Sequence, residues 1–445
     1  MSIAAKPESP LTRILNATAQ IERREMAAVF AAFFLFFFVL GSYFAVRPVR
    51  ETIGTMLGGD VVADLWLYTA IFSIALVPIY GWLIARVRRA VLLPFIYGLV
   101  ALILAGTGLT LGATELNRTT GSFFYVWISV LNLMLVSVFW SFLLEMFSRE
   151  QTKRLFGFIA AGGTLGALIG PLTTRLSVAS VGDSGVLLIG AAGFLGAVFC
   201  QLILLSVWKP EGDTATEKPR DAAVGGNPFA GITIVLKSPY LLGIALFTVL
   251  LSAASTILYF EQLRIVGETF PDRTQRTEVF ATIDIIVQSL TIFTQLFVTG
   301  RIATKFGVRY LLSILPIVIA VGFIILAFYN VFAVIMVVYI ARRWAQYSMI
   351  RPGLNMLFNR FDTETKYKAK NFVDVPVYRA ADYAGAQAKT AIDAVTAAPA
   401  ASLFIGAALA GVWAWVGWRL GRKQDDGIGT DNSHQAAIPT QPNRL

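Results

Sequence analysis

The sequence predicts an all-α integral membrane protein with about twelve transmembrane helices in two six-helix bundles. Hydrophobic residues make up 56% of its 445 residues and charged residues only 14%, whereas soluble chains have roughly a quarter charged residues. The apolar residues also collect in runs of roughly 20, the length that a helix needs to cross the hydrocarbon of a bilayer. A membrane β-barrel would instead show short segments of alternating polarity.

Each predicted span is continuously apolar except the eleventh, which is more polar. In chain order the spans are Met26–Val46, Leu65–Ala85, Val91–Gly112, Phe123–Phe147, Phe156–Val178, Val186–Trp208, Leu241–Tyr259, Val279–Gly300, Tyr310–Tyr329, Val331–Ile350, Asn371–Ala397 and Ser402–Leu420. In the fifth span, Gly162, Gly166 and Gly170 lie four residues apart. This spacing of small residues predicts that another helix backbone approaches closely there.

A polar interruption divides the spans into two halves. The segment Lys209–Phe229, after the sixth span, is rich in charged residues, glycine and proline. We therefore expect a cytoplasmic N-terminal tail over residues 1–24, an N-terminal bundle over 25–208, a cytoplasmic linker over 209–237, a C-terminal bundle over 238–420 and a cytoplasmic tail over 421–445.

Basic residues set the predicted orientation in the membrane. Arg23 and Arg24 precede the first span, and the other basic loops all fall on the same side when the spans are counted from there. Because basic loops stay in the cytoplasm, both termini are predicted to be cytoplasmic, in a multi-pass protein of the inner (plasma) membrane. The net charge of +10 is scattered between spans, so we expect the bilayer as a partner and no nucleic acid.

The scarcity of cysteine and histidine limits the chemistry. Cys200 is the only cysteine, and His434, the only histidine, lies in the C-terminal tail. A disulfide framework, a histidine metal site and Ser-His catalysis inside the membrane are therefore excluded. We expect no enzyme activity, no catalytic residue, no metal and no cofactor. A lipid-acting membrane enzyme and a non-transporting membrane scaffold remain the alternatives from other functional classes.

A loop pattern occurs once in each half of the chain. Gly81 is followed by Arg86 and Arg89 after the second span, and Gly300 by Lys305 and Arg309 after the eighth. This pattern resembles the loop motif of the major facilitator superfamily, although the usual acidic residue is absent from both copies. The resemblance implies two six-helix halves with a substrate cavity at the midplane between them.

Ionisable residues inside the spans, or at their ends, are the candidate functional residues. Each costs at least ~2.5–3.5 kcal/mol at the bilayer centre, so each should face a cavity or a partner. The residues that this argument selects are Arg47, Arg50, Glu51, Glu145, Arg175, Asp284, Arg342, Arg343, Asp374, Arg379, Asp382, Lys389 and Asp393.

Three interpretations of these residues remain open. Some of them could be structural ion pairs that only neutralise one another. Asp284, Asp374 or Asp382 could relay protons. Alternatively, the arginines could bind a phosphate or a carboxylate, because a guanidinium group matches both bidentately. The excess of intramembrane arginine favours the last interpretation and a small anionic solute.

Four segments resemble the plastidic and intracellular-bacterial ATP/ADP translocase (nucleotide transporter) family, which is distantly related to the major facilitator superfamily. They are VRPVRETIG in the first span, FWSFLLEMFSREQTKRLFGFIAAGGTLG from the fourth span onward, Tyr259-Phe260-Glu261 in the seventh, and ARRWAQYSMIRPGLNMLF with its basic exit loop. The resemblance marks Glu261 as a functional glutamate. It also indicates a divergent member, since Asp382 stands where the family has a lysine after the arginine that is kept as Arg379.

The predicted function is secondary active transport of a small anionic solute, such as a nucleotide or another phosphorylated metabolite, by alternating access and antiport. Proton-coupled symport or export of an organic anion is the alternative. The monomer is expected as the working unit. The predicted substrate-binding residues are Arg47, Arg50, Arg342 and Arg379. The predicted coupling or gating residues are Glu51, Glu145, Glu261, Asp284, Asp374 and Asp382.

Overall fold

A computed structural model of the chain describes residues 21–113, 117–208, 230–396 and 399–436, and within these ranges the regular structure is helical throughout. The α-helices are α1 (Met26–Leu57), α2 (Gly59–Arg86), α3 (Arg89–Ala113), α4 (Arg118–Met146), α5 (Arg149–Val207), α6 (Ala230–Lys237), α7 (Pro239–Thr269), α8 (Arg273–Phe297), α9 (Thr299–Phe306), α10 (Val308–Phe328), α11 (Phe332–Ala345), α12 (Arg351–Leu357), α13 (Thr363–Phe372), α14 (Tyr378–Thr396) and α15 (Pro399–Ala436).

Nine helices of the described ranges are long and apolar enough to cross a membrane, and they account for ten of the predicted spans. The difference arises at α5, whose 59 residues contain both the fifth and the sixth span. The two spans meet at Gly182, where φ is 65°. A residue with a Cβ rarely adopts this backbone conformation, so glycine is the residue that the bend requires.

The tenth and eleventh spans contain π-helical turns. In the tenth, the π-helix Gln346–Ile350 joins α11 to α12, and in the eleventh, Val373–Val377 joins α13 to α14. Pro376 lies in the second of these turns, where its missing N–H favours an irregular hydrogen-bond pattern. The helices of these two predicted spans are not among the nine candidates for crossing a membrane in the described ranges. The prediction of an all-α, multi-span membrane protein is confirmed.

The contacts divide the chain into two compact units. The first unit comprises the described parts of Met1–Leu57, Ala75–Gly225 and Phe270–Ile285. The second unit comprises the described parts of Gly58–Ile74, Gly226–Thr269 and Ile286–Leu445. The residues of α2 and of α8 are therefore shared between the units, which the position of the linker in the sequence does not indicate.

In the first unit, α1 and α5 make the close helix contact that the glycine spacing predicts. A Cβ added at Gly166 would collide with the backbone oxygen of Phe37, and one added at Gly170 would collide with that of Gly41. Only glycine allows the two backbones this approach. α1 also packs on α4, where the rings of Phe36 and Phe139 stack with centroids 4.0 Å apart.

In the second unit, the end of the last helix caps the start of α10. The Asp425 carboxylate accepts hydrogen bonds from the backbone N–H groups of Val308 (2.8 Å) and Arg309 (3.3 Å). The preceding Gly307 has φ of 90°, which turns the chain sharply into α10. The Gly300–Arg309 loop lacks the usual acidic residue in its own sequence, and a carboxylate that lies 117 positions after Val308 in the chain contacts it instead.

Candidate functional site

The first unit contains a buried quartet of charges, Arg47, Arg50, Glu51 and Asp284. Arg47 donates from Nη1 to Asp284 Oδ1 at 2.5 Å and from Nη2 to Glu51 Oε1 at 3.4 Å. Arg50 donates from Nη2 to the same Glu51 oxygen at 2.5 Å. The two guanidinium groups are only 12% and 13% exposed. Two positive and two negative charges therefore share one desolvated volume.

Arg50 is also held by groups on α4. It donates to the hydroxyl of Ser129 at 3.1 Å, and its guanidinium lies 5.2 Å from the ring centroid of Tyr125. Helical geometry explains the grouping, because residues 47 and 51 are one turn apart on α1 and present their side chains on one face. The quartet keeps both arginines inside the protein, as the sequence predicts for charges in a span.

The second unit holds Arg342 in a buried site that has no acidic hydrogen-bond partner for it among the described residues. Its Nη1 donates to Ser255 Oγ and to Gln346 Oε1, both at 2.8 Å, and its guanidinium lies 5.1 Å from the centroid of the Tyr339 ring. Both hydrogen-bond acceptors are uncharged. Gln346 is the first residue of the π-helical turn that follows α11, which places its amide one helical turn after Arg342 in the chain.

Arg379 and Asp382 complete this second cluster. Arg379 lies 3.4 Å from the Asp382 carboxylate, which also accepts a 2.6 Å hydrogen bond from Ser252. Arg342 and Arg379 both act electrostatically on Asp382. Two guanidinium groups here share a single carboxylate, so the cluster of Arg342, Arg379 and Asp382 has an excess positive charge.

A third group in the second unit links α7 to α14. Lys389 Nζ lies 2.9 Å from Glu261 Oε1 and 2.5 Å from Asp393 Oδ2. The other Glu261 oxygen accepts a 2.8 Å hydrogen bond from Arg264. Glu261 and Lys389 are 1% and 7% exposed. Lys389 is not among the predicted site residues, although a lysine in the middle of a span is the sequence signal that identifies it.

Two of the predicted residues lie outside these clusters. Glu145 is exposed near the end of α4. Asp374 is 50% exposed and pairs with Lys370 at 2.8 Å, one turn before it in the chain. The structure thus brings together Arg47, Arg50, Glu51 and Asp284 in one group and Arg342, Arg379 and Asp382 in another, while Glu261 belongs to the third.

Sequence reasoning missed a further buried acid, Asp183. Its carboxylate is paired with Arg273 and accepts a 2.7 Å hydrogen bond from Thr277, whose hydroxyl also lies 2.7 Å from that of Thr52. Asp183 directly follows Gly182, the bend in α5. In the sequence this aspartate lies between the fifth and sixth predicted spans, and nothing local shows that the start of α8 covers it.

The clusters offer hydrogen-bond donors to an anion rather than ligands to a metal. Among residues 21–113, 117–208, 230–396 and 399–436, no group of three or more His, Cys, Asp or Glu side chains is arranged to hold a metal ion. Guanidinium groups in a desolvated site bind phosphate or carboxylate through short, charge-assisted hydrogen bonds. The chemistry available to the second cluster is therefore reversible binding of an anion.

No family profile and no curated protein matches this sequence. Solved structures do match the fold. A nucleoside transporter, NupG, superposes with a TM-score of 0.62 and 14% identity, over 90% of this chain and 99% of that chain. A bacterial homologue of the human lysosomal transporter Spinster, in an inward-facing and unoccupied conformation, gives a TM-score of 0.58 and 13% identity over 91% and 99%.

An auto-inhibited peptide transporter of the POT family gives a TM-score of 0.62 and 12% identity, over 89% of this chain and 96% of that chain. At these identities the likeness concerns the fold alone. The chain therefore has the fold of major-facilitator-like transporters, as the two copies of the loop motif predict.

Proposed function

We propose that this protein is a secondary active transporter of a small anionic solute. One observation carries the proposal: the cluster of buried Arg342, partly exposed Arg379 and Asp382 has two guanidinium groups for one carboxylate, and the acceptors of Arg342 within the described residues are uncharged. An unbalanced buried cation is costly unless a counter-charge arrives. A transported anion supplies that charge while it is bound.

The geometry favours a ligand with oxygen atoms on one face. Ser255 and Gln346 occupy Nη1 of Arg342, whereas its buried Nε has no hydrogen-bond partner in the part of the chain that the structure describes. Arg379 makes a long contact of 3.4 Å to Asp382. Both arginines therefore retain donors for a phosphate or a carboxylate, and charge-assisted hydrogen bonds of this kind contribute roughly 1.5–3 kcal/mol each.

The first-unit quartet suits a gating or coupling role. Its charges balance, so the arginines are held by Glu51 and Asp284 when no anion is present. An anion that competes with these carboxylates would release them, and a release of this kind couples occupancy to conformation. We assign Arg47 and Arg50 to transient contact with the anion, and Glu51 and Asp284 to holding them between cycles.

The substrate class that we propose is a nucleotide or another phosphorylated metabolite, exchanged by antiport. The support is the resemblance of VRPVRETIG and the other three segments to nucleotide transporters, together with the arginines that those segments place in buried clusters. Asp382 stands in place of the expected lysine, but Lys389 lies in the same helix and is buried against Glu261. A cation is thus present in the eleventh span.

Counterflow in proteoliposomes tests the proposal. Vesicles with purified protein are loaded with an unlabelled solute and challenged with its labelled form, across nucleotides, inorganic phosphate and small organic anions. Arg342→Gln should lower uptake of the transported anion about 10-fold or more, because a charge-assisted hydrogen bond is lost. Arg419→Gln, which changes an exposed arginine stacked on Trp415, is the matched control.

Absence of counterflow for every anion, or equal uptake by the Arg342→Gln and wild-type proteins, would contradict an anion transporter with this site. Absence of any ligand-dependent thermal shift across nucleotides, phosphates and carboxylates would instead favour a non-transporting membrane scaffold.

Proton-coupled symport or export is the second candidate, and Asp382 favours it. This buried carboxylate accepts from neutral Ser252 at 2.6 Å and is only loosely held by Arg379, so it could carry a proton. Uptake driven by a pH gradient, without counter-substrate and lost in Asp382→Asn, would select this mechanism. Exchange that is indifferent to the gradient would select antiport.

A further inference from the structure

A cavity of about 330 Å³ lies in the second unit, apart from the charge clusters described above. It is lined by Pro352, Asn355, Met356, Asn359, Lys366 and Lys370. Pro352, Asn355 and Met356 come from α12, Asn359 from the short 3-10 helix Phe358–Arg360 that follows it, and the two lysines from α13. The volume falls within the range of small-molecule sites, which begins at roughly 300 Å³.

The cavity lining combines positive charge with amide groups. Lys366 and Lys370 are four residues apart, so one face of α13 presents both ammonium groups. Lys366 donates to the uncharged Asn359 side chain at 2.9 Å. Lys370 lies 2.8 Å from the half-exposed Asp374, and exposed ion pairs of this kind are weak, so its ammonium stays available to a second anion. The acceptor that Lys366 contacts is an uncharged amide, and the neighbouring asparagines supply further polar contacts.

The surrounding sequence adds to the positive potential. Between residues 351 and 370 the chain has five basic and two acidic residues. This segment lies between the tenth and eleventh spans, on the side that the basic-loop rule predicts to be cytoplasmic. A basic pocket between spans on that side faces the anionic head groups of the inner leaflet. Pro352 and Met356 provide an apolar wall beside the charged one.

We infer that this cavity is a binding site for a phosphate group, separate from the arginines that bind the transported anion. Lys366 and Lys370 contact the phosphate oxygens, and the side-chain amides of Asn355 and Asn359 donate to them. An anionic phospholipid head group and free inorganic phosphate share this chemistry, and the test distinguishes the two sources.

The test measures binding to the purified full-length protein in a neutral detergent, through the ligand-dependent shift of its thermal unfolding midpoint. The probes are a short-chain phosphatidic acid, a phosphatidylcholine of the same chain length, and inorganic phosphate. The variant carries Lys366→Gln and Lys370→Gln. The control carries Lys305→Gln and Lys423→Gln, which remove the same charge from exposed positions outside the cavity.

Phosphatidic acid should stabilise the wild-type and control proteins equally. Its dissociation constant should rise about 30-fold in the double variant, because each lysine near an anionic lipid contributes about a 5-fold change in affinity. If inorganic phosphate gives the same lysine-dependent effect, free phosphate is the ligand. If only phosphatidic acid gives the lysine-dependent effect, the phospholipid head group is the ligand.

Equal binding to the double variant and the wild type, or an equal loss in the control, overturns the site. Equally tight binding of phosphatidylcholine also overturns it, because that outcome reports acyl chains or a zwitterion rather than an anionic phosphate. Should the double variant fold poorly, Lys366→Gln and Lys370→Gln are measured singly, each with an expected loss of about 5-fold.

Discussion

Replacing Lys389 by methionine should destabilise the second unit by removing the partner of a buried carboxylate. Lys389 and Glu261 are 7% and 1% exposed and lie 2.9 Å apart. Removing one member of a buried ion pair typically costs about 3–5 kcal/mol, because the other charge is left uncompensated. Here Arg264 still donates to Glu261 at 2.8 Å, so we expect the lower end of that range, about 3 kcal/mol.

A double-mutant cycle isolates this interaction. Glu261→Gln in the Lys389→Met background removes the orphaned charge, so the double variant should recover most of the lost stability. Unfolding in mixed micelles, followed by tryptophan fluorescence, gives the four free energies. Glu268→Gln is the control, because its ion pair with Arg264 is largely exposed and should contribute at most about 1 kcal/mol.

The cycle also separates the interpretations that the sequence left open. If the pair is only structural, the double variant should regain both stability and transport. If Glu261 acts in gating or coupling, stability should return while transport stays lost. A loss below about 1 kcal/mol in Lys389→Met, or additive effects in the cycle, would refute the reasoning, since neither is compatible with a coupled buried pair.

Three further predictions concern the framework of the two units. Burial by itself raises the pKa of Glu25, but hydrogen bonds from Arg154 and other donors outweigh it and hold that pKa below its ordinary value of 4.5. The resulting stabilisation is complete above about pH 4.5 and is lost as the pH falls through the lowered pKa of the folded state. Glu25→Gln should therefore be less stable than wild type at pH 7, and the difference should shrink in acid unfolding curves below pH 4.5. Gly166→Ala should lower the free energy of unfolding by about 1–3 kcal/mol, because its Cβ overlaps the α1 backbone. The control Gly157→Ala has open space around it and should not destabilise the protein. Equal effects of the two variants in thermal or denaturant unfolding would argue against the close α1–α5 contact. Asp425→Ala should cost about 0.5–2 kcal/mol by leaving the first amides of α10 without their cap, and an unchanged melting temperature would show that water replaces it.

The helices and the fold class followed from the sequence because both depend on local properties. A run of apolar residues is a span wherever it occurs, since the bilayer acts on each segment separately. The same reasoning selected most of the charged residues of the clusters, because a charge within a span has to be compensated. It also identified the glycine row of α5, whose spacing is readable without knowing which helix approaches.

The pairing of those charges was decided by tertiary structure. Arg47 meets Asp284 across 237 positions of sequence, and Lys389 meets Glu261 from another helix. Sequence periodicity orders residues around one helix but carries no information on which helix faces it. For the same reason Asp374, predicted to be a coupling or gating residue like Asp382, lies half-exposed against Lys370 within a π-helical turn.

Hydrophobicity by itself therefore determined where the chain crosses the membrane and which of its charges need partners. Only the packed structure decided which charge is matched and which remains in excess, because the balance at Arg342, Arg379 and Asp382 depends on how helices far apart in sequence are brought together. Long-range packing sets that electrostatic balance, and residue-by-residue hydropathy does not contain it.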